Sequence, residues 1–249
     1  MLFRSLHKNQ LAVKDVSFTV CRGEIVCLAG IDGNGQTELV GGITGLDKVT
    51  EGRIFIGDTD ITFMPIRKRN TDFISHIPED RHKHGLVLNF PLMDNIILQR
   101  YFEPKFQNYG FINKENISSY ANGLIEKYDI RCAEGAKTIT RSMSGGNQQK
   151  AIIAREFDRA RPLIIAVQPT RGLDVGAIEY IHSNLVKKRD EGHAVLLVSL
   201  ELDEVMNLSD RIVVIHEGEI VGELNPENTT AEELGLYMAG TKKGEIGNV

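Results

Sequence analysis

Gly30-Ile31-Asp32-Gly33-Asn34-Gly35-Gln36-Thr37 follows an apolar run from Glu24 to Ala29 and precedes a helical pattern from Gln36 to Ile43. The stretch fits the phosphate-loop pattern GxxxxGK[ST] at every fixed position except the lysine, where Gln36 stands. A buried strand, a glycine loop and a helix in that order bring successive backbone N–H groups and a helix N-terminus together on phosphate oxygens. The phosphate-binding set read from the pattern is Gly30, Asp32, Gly33, Asn34, Gly35, Gln36, Thr37 and Glu38. Thr37 keeps a hydroxyl where it can ligate the magnesium ion of a bound nucleotide. Gln36 brings no cation to the β and γ phosphates, so nucleotide affinity is expected to be weakened by about one to two orders of magnitude.

Outward from the loop, strand and helix signals alternate. Val16 to Val20 reads as a strand, and Arg53 to Ile56, Gly57-Asp58 and Thr59 to Thr62 read as a hairpin with a type I′ turn. Phe73 to Ile77 is the next strand. A helical stretch then places Ile117, Tyr120, Ala121, Leu124, Ile125 and Tyr128 on one face. Leu163 to Val167, Ala194 to Ser199 and Ile212 to Ile215 are apolar, strand-length runs separated by helical segments such as Ala177 to Arg189, the spacing of a parallel sheet. Ala231 to Met238 closes the fold as a short helix with Thr229 and Thr230 as capping residues.

The expected class is therefore α/β: a P-loop core with a mostly parallel sheet, an antiparallel β subdomain and an α-helical subdomain. One domain is expected over residues 1–240, with the helical subdomain inserted at about 80–158. The tail 241–249 is expected to lack structure.

A chain of 249 residues, 41% hydrophobic and 25% charged, can bury a good core. Its formal charge of -5 leaves no basic footprint for a phosphate backbone, which speaks against nucleic acid as a partner. Cys21, Cys27 and Cys132 form no CxxC pair and are read as reduced, cytoplasmic residues. No apolar run approaches the ~18 residues of a membrane span, and no signal peptide opens the chain. Contact with a membrane is expected to run through another protein. His76, His82 and His84 lack the surroundings of a metal site and read as surface or packing residues.

Ser142-Met143-Ser144-Gly145-Gly146-Asn147-Gln148-Gln149-Lys150 resembles the LSGGQ signature of ABC ATPases, in the SGGNQQK form of simple-sugar and nucleoside importers. The resemblance implies that Ser144, Gly145, Gly146 and Asn147 cap the γ-phosphate of a nucleotide held by a facing domain. Pro169 to Gly176 is similar to the family's segment after the Walker B strand, with Leu173-Asp174 in the D-loop. Val167 then stands where the family has an aspartate for magnesium, and Gln168 where it has the catalytic glutamate. A glutamine cannot accept the proton of an attacking water, and such general base catalysis contributes about 100- to 10,000-fold. Leu200 replaces the switch histidine. Glu79 takes the Q-loop position, and Asp80 to Leu86 resembles the PEDRxxxGL segment of the same importers, which implies a link to the membrane subunit.

The resemblance covers residues from about 11 to 240 and is nearest to the second ATP-binding half of importer subunits that carry two such domains. It implies a C-terminal half whose partners are the first ABC domain of the same subunit, or another ABC domain, and integral permease subunits at the inner face of the membrane. ATP and Mg2+ are the implied cofactors, both weakly held. Phe3 and His7 are the nearby aromatic candidates to stack on adenine. Gln36, Val167, Gln168 and Leu200 all belong to this chain's own site, whereas Ser144 faces the partner's, so one degenerate and one working site are expected. No residue of this chain is assigned a catalytic role, and hydrolysis on its own is expected to be absent or very slow. Two alternatives stay open: a slow but genuine ATPase that uses Gln168 to orient water, and a soluble ABC protein that meets no transporter.

Overall fold

The computed structural model describes residues 3–7, 10–159 and 161–244, with side chains from residue 12 onward. In chain order the elements are β1 (Phe3–His7), β2 (Gln10–Val16), β3 (Ile25–Ala29), α1 (Gln36–Thr44), β4 (Val49–Gly52), β5 (Phe55–Ile56), β6 (Thr59–Asp60), α2 (Ile66–Asp72) and β7 (Ile74–Ile77). There follow α3 (Leu92–Ile97), β8 (Gln107–Asn108), β9 (Phe111–Ile112), α4 (Lys114–Lys127), α5 (Gly145–Phe157), β10 (Leu163–Val167) and α6 (Val175–Asp190). The chain ends on β11 (Ala194–Ser199), α7 (Leu202–Leu208), β12 (Arg211–His216), β13 (Glu219–Leu224) and α8 (Ala231–Met238). Two compact units divide it, one of Met1–His76, Arg161–Gln168 and His182–Val249, the other of Ile77–Ala160 and Pro169–Ile181. The second unit thus takes in residues 169–181 beside the helical stretch read from the sequence.

The first unit is built on a six-stranded sheet in the order β13-β12-β3-β11-β10-β7. Strands β12, β3, β11 and β10 run parallel, and β13 pairs antiparallel with β12 at one edge. Every residue of β3 and of β11 is buried, which is why both are unbroken apolar runs rather than alternating ones. The register sets Ala29 beside Ser199 and Val167 beside Val198. The loops that follow β3, β10 and β11 therefore leave from one carboxyl edge, where open α/β sheets gather their ligand sites. A second, antiparallel sheet has the order β2-β1-β4.

The amino edge of the parallel strands is tied by Arg211, which donates to Glu24 Oε1 at 2.8 Å, Glu223 Oε1 at 2.6 Å and the Thr19 carbonyl at 2.7 Å. Burial pushes the Glu24 carboxyl up, but hydrogen bonds from Arg211 and from the Cys21 N–H together leave it below its ordinary value. A lowered folded-state pKa contributes stability above the unfolded value of about 4.3, and that stability is lost as pH falls through the folded value. Glu24→Gln is expected to flatten the acid limb of the thermal-midpoint profile in that window, read by circular dichroism.

Two local expectations are corrected. The strand expected at 16–20 ends at Val16: Asp15 bends the chain at φ 49, and Phe18 reaches the core from irregular backbone. In the β5–β6 hairpin Gly57 alone has positive φ, at 56, so the turn has the signature of type II′ rather than I′.

In the second unit, α4 buries Ile117, Ala121 and Leu124, and Tyr128 behind them, while Tyr120 and Ile125 are half-buried. Tyr120 sits at the margin because its hydroxyl donates to Asp158 Oδ2 and accepts from Arg100, each at 2.6 Å. Helix α5 buries Arg155 and Glu156 completely enough that their ion pair, at 2.9 Å, is what makes the burial tolerable. Gly85 lies against this helix: an added Cβ would come within 2.6 Å of Ile152 Cδ1. Gly85→Ala is expected to destabilise the chain by about 1–3 kcal/mol through overpacking, read as a shift of the denaturant midpoint.

At the end of the first unit, Thr230 Oγ1 caps α8 by accepting from the Glu233 N–H at 3.1 Å. Of the tail expected to lack structure, Thr241 and Lys242 donate to the Leu236 carbonyl and Gly244 to that of Val221; residues 245–249 lie outside the described residues. Among the described residues no helix is long and apolar enough to cross a membrane.

Candidate functional site

The loop between β3 and α1 keeps its shape through main-chain and neighbour contacts within the first unit. Asn34 donates its N–H to the Ile31 carbonyl at 3.3 Å, while its Oδ1 accepts from Glu217 at 2.8 Å and its carbonyl from Gly218 at 2.9 Å. The loop is thereby fastened to the turn between β12 and β13. Gly35 adopts φ 105 and an added Cβ would lie 2.7 Å from the Ala12 carbonyl oxygen, so no other residue fits there. Gly35 is also the N-cap of α1 and offers no side-chain cap to its first amides. Those N–H groups are left for a ligand, as in an anion site at a helix N-terminus. Asp32 and Gly33 are exposed, Thr37 is exposed at the start of α1, and half-buried Glu38 places a carboxylate in its first turn.

Gln36 does not reach outward. It is buried, its Nε2 donates to the Ile31 carbonyl at 3.1 Å, and an added Cβ on Gly30 would sit 2.5 Å from that nitrogen. The side chain folds back into the loop it belongs to.

At the same edge Val167 is buried in the apolar core, 5% exposed. Gln168 follows at φ 41, a region that non-glycine residues occupy at a cost, with its N–H held by the Val198 carbonyl at 2.7 Å. Ser199 Oγ accepts from the Glu201 N–H at 3.1 Å, and half-buried Leu200 leaves the end of β11 between them. Loop, Val167, Gln168 and Leu200 are thus gathered by the sheet register. The side chains of Phe3 and His7 lie outside the described residues.

The donor set decides what this edge can hold. A phosphate fits the uncapped amides of the glycine loop. A magnesium ion seeks carboxylate oxygens, whereas Thr37 offers a hydroxyl, Val167 a hydrocarbon and Gln168 a neutral amide. Among the described residues no group of three or more His, Cys, Asp or Glu side chains could hold a metal ion. The metal part of an ordinary phosphate-loop site does not fit these residues.

In the second unit Ser144 is the N-cap of α5. Its Oγ accepts from the Asn147 N–H at 3.4 Å and from Asn147 Nδ2 at 2.9 Å, and Asn147 Oδ1 accepts from the Arg131 N–H at 2.7 Å. Ser144 is exposed, with Gly145, Gly146 and Asn147 half-buried behind it. Asp174 caps the start of α6, accepting from the Ala177 N–H at 2.9 Å, and an added Cβ on Gly146 would lie 3.7 Å from its Oδ2. The signature turn and the segment around Asp174 are therefore neighbours. Glu79 accepts from Arg171 Nη1 at 2.7 Å, and Arg81 Nη1 donates to the Arg171 carbonyl at 3.1 Å. Sequence reasoning passed over Arg81, Arg171 and the fastening role of Asn34, because each pairs with residues far away in the chain.

A glycine loop after a central parallel strand, an uncapped helix behind it and a helical part carrying a serine–glycine turn make this the P-loop NTPase fold of ABC ATPases. The family model described as ABC transporter matches residues 13–171, and the chain belongs to that family. The Nucleoside import ATP-binding protein NupA of Lactococcus lactis subsp. cremoris is 55% identical over 94% of this chain and 46% of that protein. The Guanosine import ATP-binding protein NupO of Bacillus subtilis is 52% identical, again over 94% of this chain and 46% of that protein. The chain thus spans about half the length of these relatives. A dimeric ATP-binding cassette solved with ADP and Pi has the same fold, with a TM-score of 0.76 and 24% identity over 92% of this chain and 98% of that one.

Proposed function

We propose that this chain is the degenerate nucleotide-binding domain of an importer for nucleosides or simple sugars, in the role of the second of two ABC domains in one subunit. Its own loop cradles the phosphates of ATP with main-chain amides, and its Ser144–Asn147 turn completes the site of the facing domain. One observation carries this. At the carboxyl edge Gln36, Val167, Gln168 and Leu200 bring no cation to phosphate, no carboxylate to a metal and no base to water, while Ser144 stays exposed at the mouth of a well-capped helix. The similarity to nucleoside and guanosine import proteins supports the substrate class.

In this role nucleotide binding closes the two domains, hydrolysis at the partner's site opens them, and permease subunits at the inner face of the membrane follow. ATP turnover of the chain alone tests the proposal. No turnover above background is expected, and Gln168→Ala should change nothing. Turnover at ordinary ABC rates that Gln168→Ala abolishes would establish the genuine-ATPase alternative instead. Co-purification with permease subunits is expected, and its failure would favour an ABC protein that meets no transporter.

A further inference from the structure

The segment after Glu79 is fixed to the signature helix. Asp80 accepts from the N–H groups of His82 at 2.9 Å and Lys83 at 3.0 Å, closing a single π-helical turn over Arg81–Gly85. His82 Nε2 lies 2.9 Å from Gln148 Oε1, and Arg155 Nη1 donates to the Gly85 carbonyl at 2.9 Å. With Gly85 pressed on Ile152, the turn is bolted to α5 at three points.

This turn aims Arg81 at two neighbours at once. Nη1 donates to the Arg171 carbonyl at 3.1 Å, and Nη2 lies 3.2 Å from the place of an added Cβ on Gly145 and 3.9 Å from one on Gly172. Arg171 turns back to Glu79 at 2.7 Å. A second bolt, Gln149 Nε2 to the Pro169 carbonyl at 2.8 Å, ties the same segment to α5. A cation beside a helix N-terminus opposes the helix dipole, and Arg81 Nε is buried with no hydrogen-bond partner. Against these two costs stands the bond to the Arg171 carbonyl, which joins the 171–174 segment to the turn that carries Arg81.

We propose that Arg81 is a positioning residue that sets the spacing between the Ser144–Asn147 turn and the 171–174 segment, and that Glu79 adjusts this spacing through Arg171. The two surfaces then move as one piece when the Q-loop position moves. This rests on the assignment of both surfaces to the facing domain, and it adds a link that begins at Glu79 and ends at Gly145. A forked head is needed to donate through Nη1 to the Arg171 carbonyl while Nη2 stays beside Gly145 and Gly172, which the single ammonium of a lysine cannot do.

Hydrogen exchange on the full chain tests the brace without any partner. In Arg81→Gln the amides of residues 145–147 and 172–174 are expected to exchange about tenfold faster, with those of β3 and β11 unchanged. Arg81→Lys should show the same loss, since charge alone does not restore the geometry. Glu79→Gln should speed exchange about two- to threefold at residues 172–174 only, and it covers the case in which Arg81 variants do not fold. Unaltered exchange in Arg81→Gln, rescue by Arg81→Lys, or no change in Glu79→Gln would overturn the inference. In the importer assembled in vesicles, Arg81→Gln should lower ATP turnover about tenfold at saturating ATP with KM unchanged. If Gly145→Asp leaves that turnover intact, the partner-facing assignment fails, whereas the exchange result judges the brace separately.

Discussion

Gly145→Asp is expected to lower ATP turnover of the assembled importer about 100-fold or more, comparable with removing a positioned donor from a charge-stabilising site. Gly145 is the first residue of α5, beside the Ser144 cap, where the N–H groups of the helix carry partial positive charge. A carboxylate there puts negative charge where the partner's γ-phosphate is proposed to lie. It also pairs with Arg81, whose Nη2 lies 3.2 Å from the new Cβ. The loss should appear in the rate at saturating ATP, and nucleotide binding at this chain's own loop should not change. Gly145→Ala separates bulk from charge and should cost less than about tenfold. A Gly145→Asp importer with turnover near that of the parent would remove the signature turn from the mechanism.

Gln36→Lys is expected to tighten ATP binding to the isolated chain about 10- to 100-fold, the worth of a charge-assisted hydrogen bond to phosphate. The parent chain should bind weakly and with the same affinity in magnesium and in chelator, since Val167 and Gln168 bring no carboxylate to the metal. Calorimetric titration in both buffers checks this. The Gln36→Lys gain should come without turnover, because no proton acceptor stands at position 168. Tight, magnesium-dependent binding by the parent chain would contradict the degenerate-site proposal directly.

Much of the first unit was legible because its strands are buried on both faces. β10 and β11 fall where the apolar runs of 163–167 and 194–199 put them, and α8 where its capping threonine puts it. The failures share a physical cause. Val16, Phe18 and Val20 alternate like a strand, yet that pattern reports burial only, and a bend at Asp15 ends the ladder. Gly57-Asp58 predicts a tight hairpin, but which turn residue takes positive φ depends on local twist. The candidate site was legible as a string of positions, since the loop and the signature are local motifs. Its fastening was not: Asn34 to Glu217, and Arg81 to Arg171, are pairings across 183 and 90 residues that no spacing encodes.

The hold of Asn34 on the turn between β12 and β13 bears on how the proposed degeneracy could arise. A loop moulded by the nucleotide would slacken once the lysine was gone. Here the mould is the protein itself, so mutation can drift through the reactive positions without disturbing the scaffold around them. The contour of the loop is already set before any ligand arrives.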